Sequence, residues 1–325
     1  MSVAMVPVHP ATRWPSAASR AAIPWRYRAH PSVPPASSPM VTAAGWTGTI
    51  ATDIPAGAGL SSSAALEVAS GLVALAAGGG TPDPSLLPVV ADIGTRVENE
   101  LLGLPSGIMD QLISATAPAD GALLIDCRHH KSVAVPIPDE AVVVVLDTGT
   151  RRQLVDSQFA ARRADCERAA RLLDRDSLRD AAMEDLDRLA AHPEADEVVV
   201  ARARHVLTEN DRTERAAAAL AAGDLDLVGR LMAESHRSLA DDYEVSSPAI
   251  EAMVDVASAA PGCHGARVTG GGFAGCAVAL VAAAQVPAFD EHVRARFRAP
   301  VDQPATEPTA LYPVRPAAGA SITIG

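Results

Sequence analysis

Apolar and polar positions along the chain change rhythm three times. Residues 1–45 show neither a helical nor a strand period. Pro, Ala and Ser crowd them, Pro31, Pro34, Pro35 and Pro39 among them, and an irregular segment is expected. Over residues 46–54 Thr47, Thr49 and Ile50 favour extended backbone until Pro55 stops the ladder, which predicts a strand. The Ala-, Leu- and Val-rich stretch Ser62–Ala77 begins with serines and runs into Gly78, Gly79 and Gly80, the pattern of a buried helix with a capped head and a glycine stop. A second helix is expected over residues 86–102 and the start of a third over 107–115, after a turn containing Pro105. Strand signals follow at residues 122–126, 132–135 and 141–147.

Beyond Thr148 the pattern becomes long Arg/Ala/Leu helices, predicted over residues 153–173, 197–222, 225–240 and 248–260. Residues 266–268, 276–281 and 309–314 read as extended. The second half is therefore expected to be an α+β layer with a small antiparallel sheet. This places domain limits at 1–45 for the irregular segment, 46–150 for an amino-terminal domain and 151–325 for a carboxy-terminal one.

Composition narrows the classes of function. Of 325 residues, 48% are hydrophobic and 20% charged, as in a soluble chain long enough for two cores. A net charge of −12 repels a phosphate backbone, so nucleic acid is not expected as a partner. Apolar runs such as residues 274–284 fall well short of the ~20 residues a bilayer span needs, and the first 20 residues lack the apolar core of a secretory signal. Cys127, Cys166, Cys263 and Cys276 lie far apart, which fits neither a zinc knuckle nor a disulfide scaffold and suggests a reducing, cytoplasmic setting. Lys131 is the one lysine among 27 basic residues.

Three segments could carry chemistry. In PAGAGLSSS, residues 55–63, Gly57 and Gly59 allow tight backbone and three hydroxyls stand at a helix start, where free amides and the helix dipole attract anions. A phosphate loop and a serine-capped helix fit this segment equally, and a Walker A loop is excluded because G-K-[ST] is absent. In residues 98–111 Asp110 follows the Gly107 turn near the first turn of a helix. A carboxylate there could accept the proton of a substrate hydroxyl in phosphoryl transfer, or serve only as helix N-terminal charge. Glu98 could be an ordinary surface residue or, with Ser63, a hard oxygen ligand of Mg²⁺. The third segment, GARVTGGGFAGC, has five glycines in twelve positions and could form an anion nest or a simple hairpin. Two glycine-rich loops and a serine-headed helix in one acidic chain favour a nucleotide kinase. His129 and His130 read as bland turn residues, His205 and His236 as single helical histidines, and the pairs Arg151–Arg152 and Arg162–Arg163 as solvated helix charge.

In order and spacing these segments resemble the GHMP family of small-molecule kinases and, within it, the galactokinases. GAGLSSSAALEV is similar to the family's phosphate loop, GIMDQLIS to its catalytic helix and VTGGGFAGCAVAL to its third motif. GALLIDCR, RARHVLTEN, SHRSLADDYEVSSPAIE and YPVRPAAGA are also galactokinase-like. The resemblance covers about Thr47 to Ala320. It implies an α+β fold of two domains, the first ribosomal protein S5 domain 2-like and the second ferredoxin-like, with ATP and sugar meeting between them.

It further implies that Gly57, Gly59, Leu60, Ser61, Ser62, Ser63 and Ala64 hold the ATP phosphates, that Ser63 and Glu98 hold Mg²⁺, and that Gly270, Gly271 and Gly272 form the third motif. Asp110 would be the base facing the anomeric hydroxyl of galactose, with Gly107 touching the sugar through its backbone. Phe159 stands where the family usually has a sugar-contacting tyrosine, and Ala274 replaces a glycine. The galactokinase segment G-R-x-N-L-I-G-E-H-x-D-Y does not occur in this sequence, so impaired phosphorylation of galactose is expected; an upstream start or a frameshift within residues 1–45 would account for it. Competing expectations are a non-catalytic nucleotide or sugar sensor and another GHMP sugar kinase such as an arabinokinase. A monomer is expected.

Overall fold

The computed structural model describes residues 2–4, 23–26, 47–55, 57–78, 83–104, 106–151, 155–273 and 275–323. In chain order the elements are β1 (Ser2–Ala4), β2 (Ile23–Arg26), β3 (Thr47–Ile50), α1 (Ser62–Ala77), α2 (Leu87–Arg96), α3 (Met109–Thr116), β4 (Gly121–Asp126), β5 (Lys131–Pro136), β6 (Ala141–Asp147), α4 (Val155–Leu172), α5 (Asp185–Ala190), α6 (Glu197–Ala221), α7 (Leu225–Asp241), α8 (Pro248–Ser258), β7 (Cys263–Val268), β8 (Cys276–Ala282), α9 (Val286–Arg296) and β9 (Ala310–Val314). They form two compact units. One comprises residues 1–7, 56–60 and 118–316, the other residues 8–55, 61–117 and 317–325.

The larger unit is organised around an antiparallel sheet of order β7-β8-β6-β9. Strand β6 reads AVVVVLD and is buried at all seven positions, because it lies between β8 and β9 and is covered on both faces. A strand so enclosed cannot alternate apolar with polar, and four consecutive valines meet that demand with high β propensity. Ile250, Met253, Val254 and Ala257 of α8 and Phe289 and Val293 of α9 pack with Val142, Val144 and Leu146 in one core. A separate core joins Ala169, Ala170 and Leu173 at the end of α4 to Leu189, Val199 and Ala203. A second sheet has the order β1-β4-β5.

The smaller unit packs α1, α2 and α3 against one another, with the β2–β3 ribbon in the same unit. Gly71 of α1 admits Val90 of α2, whose methyl would lie 2.7 Å from an added Cβ. The carboxy-terminal strap is tied to α3 by amides of Gly319 and Ala320, which donate to the carbonyls of Ala117 and Ser114.

Three expectations need correction. Residues 1–45 contain two short strands, β1 and β2, each held by a distant partner, β4 and β3, which local composition does not reveal. The helix expected over residues 86–102 is an α-helix to Arg96 and then a π-helical turn, Val97–Leu101, in which the Leu102 amide reaches back five residues to the Val97 carbonyl. Hydrophobic period cannot distinguish one widened turn, and such turns concentrate at functional sites. Helices α5 and α9 are absent from the expected elements; each is short and is anchored by tertiary packing, through Leu189 in α5 and through Phe289 and Val293 in α9.

Candidate active site

In the smaller unit the head of α1 departs from an ordinary capped helix. Ser61, the N-cap residue, has left-handed backbone with φ 56° and ψ 34°, and no side chain caps the helix. The serine-capped reading of this segment is thereby overturned: Ser61 turns the chain instead of satisfying the first amides, and Ser62 and Ser63 stand exposed. Non-glycine residues in this region cost of order 1–3 kcal/mol and persist where surrounding structure or function demands them. An exposed, uncapped helix head offers free N–H groups and a positive dipole end to an anion.

Behind that head lies a group of carboxylates. Glu67 is one helical turn beyond Ser63 on α1, so the two share a face. Its Oε2 accepts a hydrogen bond of 3.0 Å from the Gln111 amide of α3. Glu98, in the π-helical turn, is only 6% exposed, and half-buried Asp110 occupies the first turn of α3. Burial first, and then the charges of Glu98 and Asp110, push the Glu67 carboxyl above its ordinary range, against the lowering effect of the Gln111 bond. The Oε1 of Gln111, a residue 1% exposed, is buried with no hydrogen-bond partner among the described residues. Asn99 steadies the approach to α3 by donating from its amide to the carbonyls of Thr95 and Ser106. Gly107 lies open, with nothing within 4 Å of an added Cβ.

In the larger unit, Gly57, Ala58, Gly59 and Leu60 lie against the turn that follows β6 and the turn that precedes β8. Gly57 and Gly59 both have positive φ. Gly275, with φ 90°, touches the backbone at residue 58 so closely that a Cβ there would fall 2.4 Å from the Ala58 carbonyl oxygen. The Thr148 amide and hydroxyl donate to the Gly275 carbonyl at 3.1 and 2.7 Å, and the Gly275 amide donates to the Thr150 hydroxyl. Asp147, 1% exposed at the end of β6, accepts from Arg151 through both oxygens, at 2.8 and 3.1 Å. The side chain of Arg151 runs beside Gly57, 3.5 Å from where a Cβ would stand. Arg151 is thus a cation anchored beside the Gly57–Leu60 turn, not solvated helix charge. The third motif is locked to residue 245: the Phe273 amide donates to the Val245 carbonyl at 2.6 Å, and Gly272 has no room for a side chain against the same oxygen.

Comparison with known proteins places this arrangement. Residues 36–117 match the family description "GHMP kinases N terminal domain", and residues 216–298 match "GHMP kinases C terminal". A galactokinase from Lactococcus lactis, crystallised with galactose, is 32% identical, with a TM-score of 0.75 over 83% of this chain and 69% of that one. The chain belongs to the GHMP kinase family. A mevalonate kinase of L. major, in complex with R-mevalonate, shares the fold at 22% identity and TM-score 0.55, over 84% of this chain and 71% of that one. The two-domain α+β architecture expected from sequence is that of this family, whose members are ATP-dependent phosphotransferases.

Within this GHMP kinase, the smaller unit brings Asp110, Glu98 and Glu67 together and presents Ser61, Ser62 and Ser63 at the head of α1. The larger unit carries Gly57, Gly59, Leu60, Gly270, Gly271 and Gly272. Phe159 lies in the first turns of α4, its side chain outside the described residues, as is Ala274. Glu67 is not among the residues read from the sequence, and Arg151 is read there only as solvated helix charge. Arg151 stands four residues after its partner Asp147, and Glu67 four residues after Ser63, and that spacing was the available signal. Arg163 is solvated helix charge as read, paired with Glu167, but Arg162 donates to the carbonyls of Tyr243 and Glu244. His129 bonds Asp126 in the β4–β5 turn, and none of the four cysteines is in a disulfide. No helix among the described residues is long and apolar enough to cross a membrane.

The side chains suit Mg²⁺ in kind. Ser63, Glu98 and Glu67 offer hard oxygens, and the Gln111 Oε1 is an acceptor without a donor. Among the described residues no group of three or more His, Cys, Asp or Glu could hold an ion alone. An ion there must share its coordination with water and phosphate, as Mg²⁺ characteristically does.

Proposed function

We propose that this GHMP kinase transfers the γ-phosphoryl group of ATP to the anomeric hydroxyl of galactose. The observation that carries the reading is Asp110 in the first turn of α3 beside a buried Glu98, in a chain 32% identical to a galactokinase over most of its length. Asp110 accepts the proton of the sugar hydroxyl, the freed oxygen bonds to the γ-phosphorus, and the bond from that phosphorus to its bridging oxygen breaks to release ADP. The amides and hydroxyls at Ser61, Ser62, Ser63 and Ala64, with the backbone of Gly57, Gly59 and Leu60, hold the phosphates. Gly270, Gly271 and Gly272 form a further backbone surface for the nucleotide. Arg151, fixed by Asp147, offsets phosphate charge in a loop that has no lysine. Glu98 and Ser63 hold Mg²⁺, which when bound neutralises charge on the transferring group. Gly107, open at its α-carbon, and Phe159 line the sugar.

Turnover tests this directly. Purified chain with Mg²⁺-ATP and galactose should yield galactose 1-phosphate and ADP, and Asp110→Asn should lower kcat by about 10³-fold while nucleotide affinity holds. Undiminished turnover in Asp110→Asn would remove the base assignment. Nucleotide binding without transfer to any sugar would make the chain a sensor, and a faster rate with arabinose would change the sugar.

A further inference from the structure

The carboxylates of the smaller unit contain more than the assigned reaction uses. Ser63 and Glu98 suffice for the metal and Asp110 for the proton, which leaves Glu67 without a task. Its surroundings are nevertheless specific. Its carboxylate occupies a slot that exists because residue 94 of α2 is glycine: a Cβ there would lie 3.1 Å from Glu67 Oε2 and 3.2 Å from Gln111 Cγ. The amide nitrogen of Gln111 closes the slot from α3. Gly94 and Glu98 are one turn apart, and Gln111 directly follows Asp110, so Glu67 touches the elements that carry both the metal carboxylate and the base.

Glu98 and Asp110 both act electrostatically on Glu67, and no ion pair among the described residues reaches Glu67 or Glu98. The buried Gln111 Oε1 has no donor. A buried acceptor left unpaired costs about 1–3 kcal/mol, so the Gln111 Oε1 beside the Glu67–Glu98 pair marks a place that a cation completes.

We infer that Glu67 is a positioning residue for the divalent cation. By accepting from Gln111 and lying against Gly94 it fixes the Glu98 carboxylate and the first turn of α3, and so sets how tightly the protein–nucleotide complex takes its metal. This rests on the kinase reading above. Outer partners of metal ligands typically contribute 10–100-fold in metal affinity.

The test is Mn²⁺ affinity, read by electron paramagnetic resonance, for the full chain saturated with a non-hydrolysable ATP analogue. Glu67→Gln, which keeps the shape and removes the charge, should weaken Mn²⁺ by about tenfold while affinity for the metal-free nucleotide is unchanged. Gly94→Ala, which alters neither carboxylate but crowds the slot, should weaken Mn²⁺ in the same direction, and Glu67→Asp should recover part of the loss. Equal Mn²⁺ affinity in wild type, Glu67→Gln and Gly94→Ala would overturn the role of Glu67 and leave the kinase reading intact. Failure of the wild-type chain to bind Mn²⁺ with the nucleotide would overturn both.

Discussion

Two clusters of charged side chains, one in each unit, use similar residues and reach opposite balances. In the larger unit Arg202, 2% exposed on α6, pairs with Glu244 and Asp165 and donates to the Asp242 carbonyl. Arg162 and Arg204 join it, so three arginines face the three carboxylates of Asp165, Asp242 and Glu244. In the smaller unit Glu67 and Glu98 stand together with no ion pair reaching either among the described residues, and a buried amide oxygen goes unpaired. Desolvated charge is tolerated when it is matched within the fold, and in charge the first cluster is matched, with the buried Arg202 Nε its one atom that finds no hydrogen-bond partner among the described residues. The second is left for something outside the chain to match. Charge imbalance, more than charge itself, separates a site from a strut.

The sharpest way to break this contrast is to disturb the balanced cluster. Arg202→Met should destabilise the fold by about 3 kcal/mol, because it strips the partners of a buried ion and leaves a carbonyl unpaired. Glu67→Gln should leave stability equal or higher, since it removes a desolvated charge. Chemical denaturation of both variants measures the difference, and a larger loss in Glu67→Gln than in Arg202→Met would reverse the assignment of roles.

A comparable effect should appear with pH in the balanced region. His205 stacks on Tyr243 at 4.4 Å and bonds Ser238, facing Glu209, Arg212, Arg267 and Asp242. Burial pulls its imidazole down from 6.5 to about 4. The unfolded chain takes up the proton near 6.5 while the folded chain resists, so stability is complete above that pH and drains away as pH falls toward 4, by up to about 3 kcal/mol. His236, also lowered by burial, acts in the same direction. Unfolding midpoints between pH 7 and 4 should therefore slope less in His205→Gln, and an unchanged slope would exclude His205 as the source.

The smallest expected change concerns the head of α1. Ser61→Gly relieves left-handed backbone and should stabilise by up to about 1 kcal/mol, while removing a hydroxyl assigned to phosphate and so weakening nucleotide affinity. A gain in both stability and affinity, read by thermal melts with and without nucleotide, would show that the strain serves nothing.

Much of this was written locally. The valine run of β6, the Ala-rich α1 bounded by Ser61 and Gly78, and the glycine spacing in both loops are short-range patterns that backbone sterics and burial oblige. The glycine turn before α1 and the place of Asp110 at a helix start were legible for the same reason, each being defined by neighbours a few residues away. Glu67 was not. Its meaning depends on Gly94 and Gln111, 27 and 44 positions distant, whose packing decides whether a carboxylate is solvated or confined. The same holds for β1 and β2, which exist through distant strands, and for Arg151 and Arg162, whose surroundings are supplied by other elements. Sequence determined which segments coil, extend or turn, because those choices are settled within a few bonds. Only the tertiary structure decided which charges were answered inside the fold, because desolvation and pairing depend on what the whole chain brings alongside.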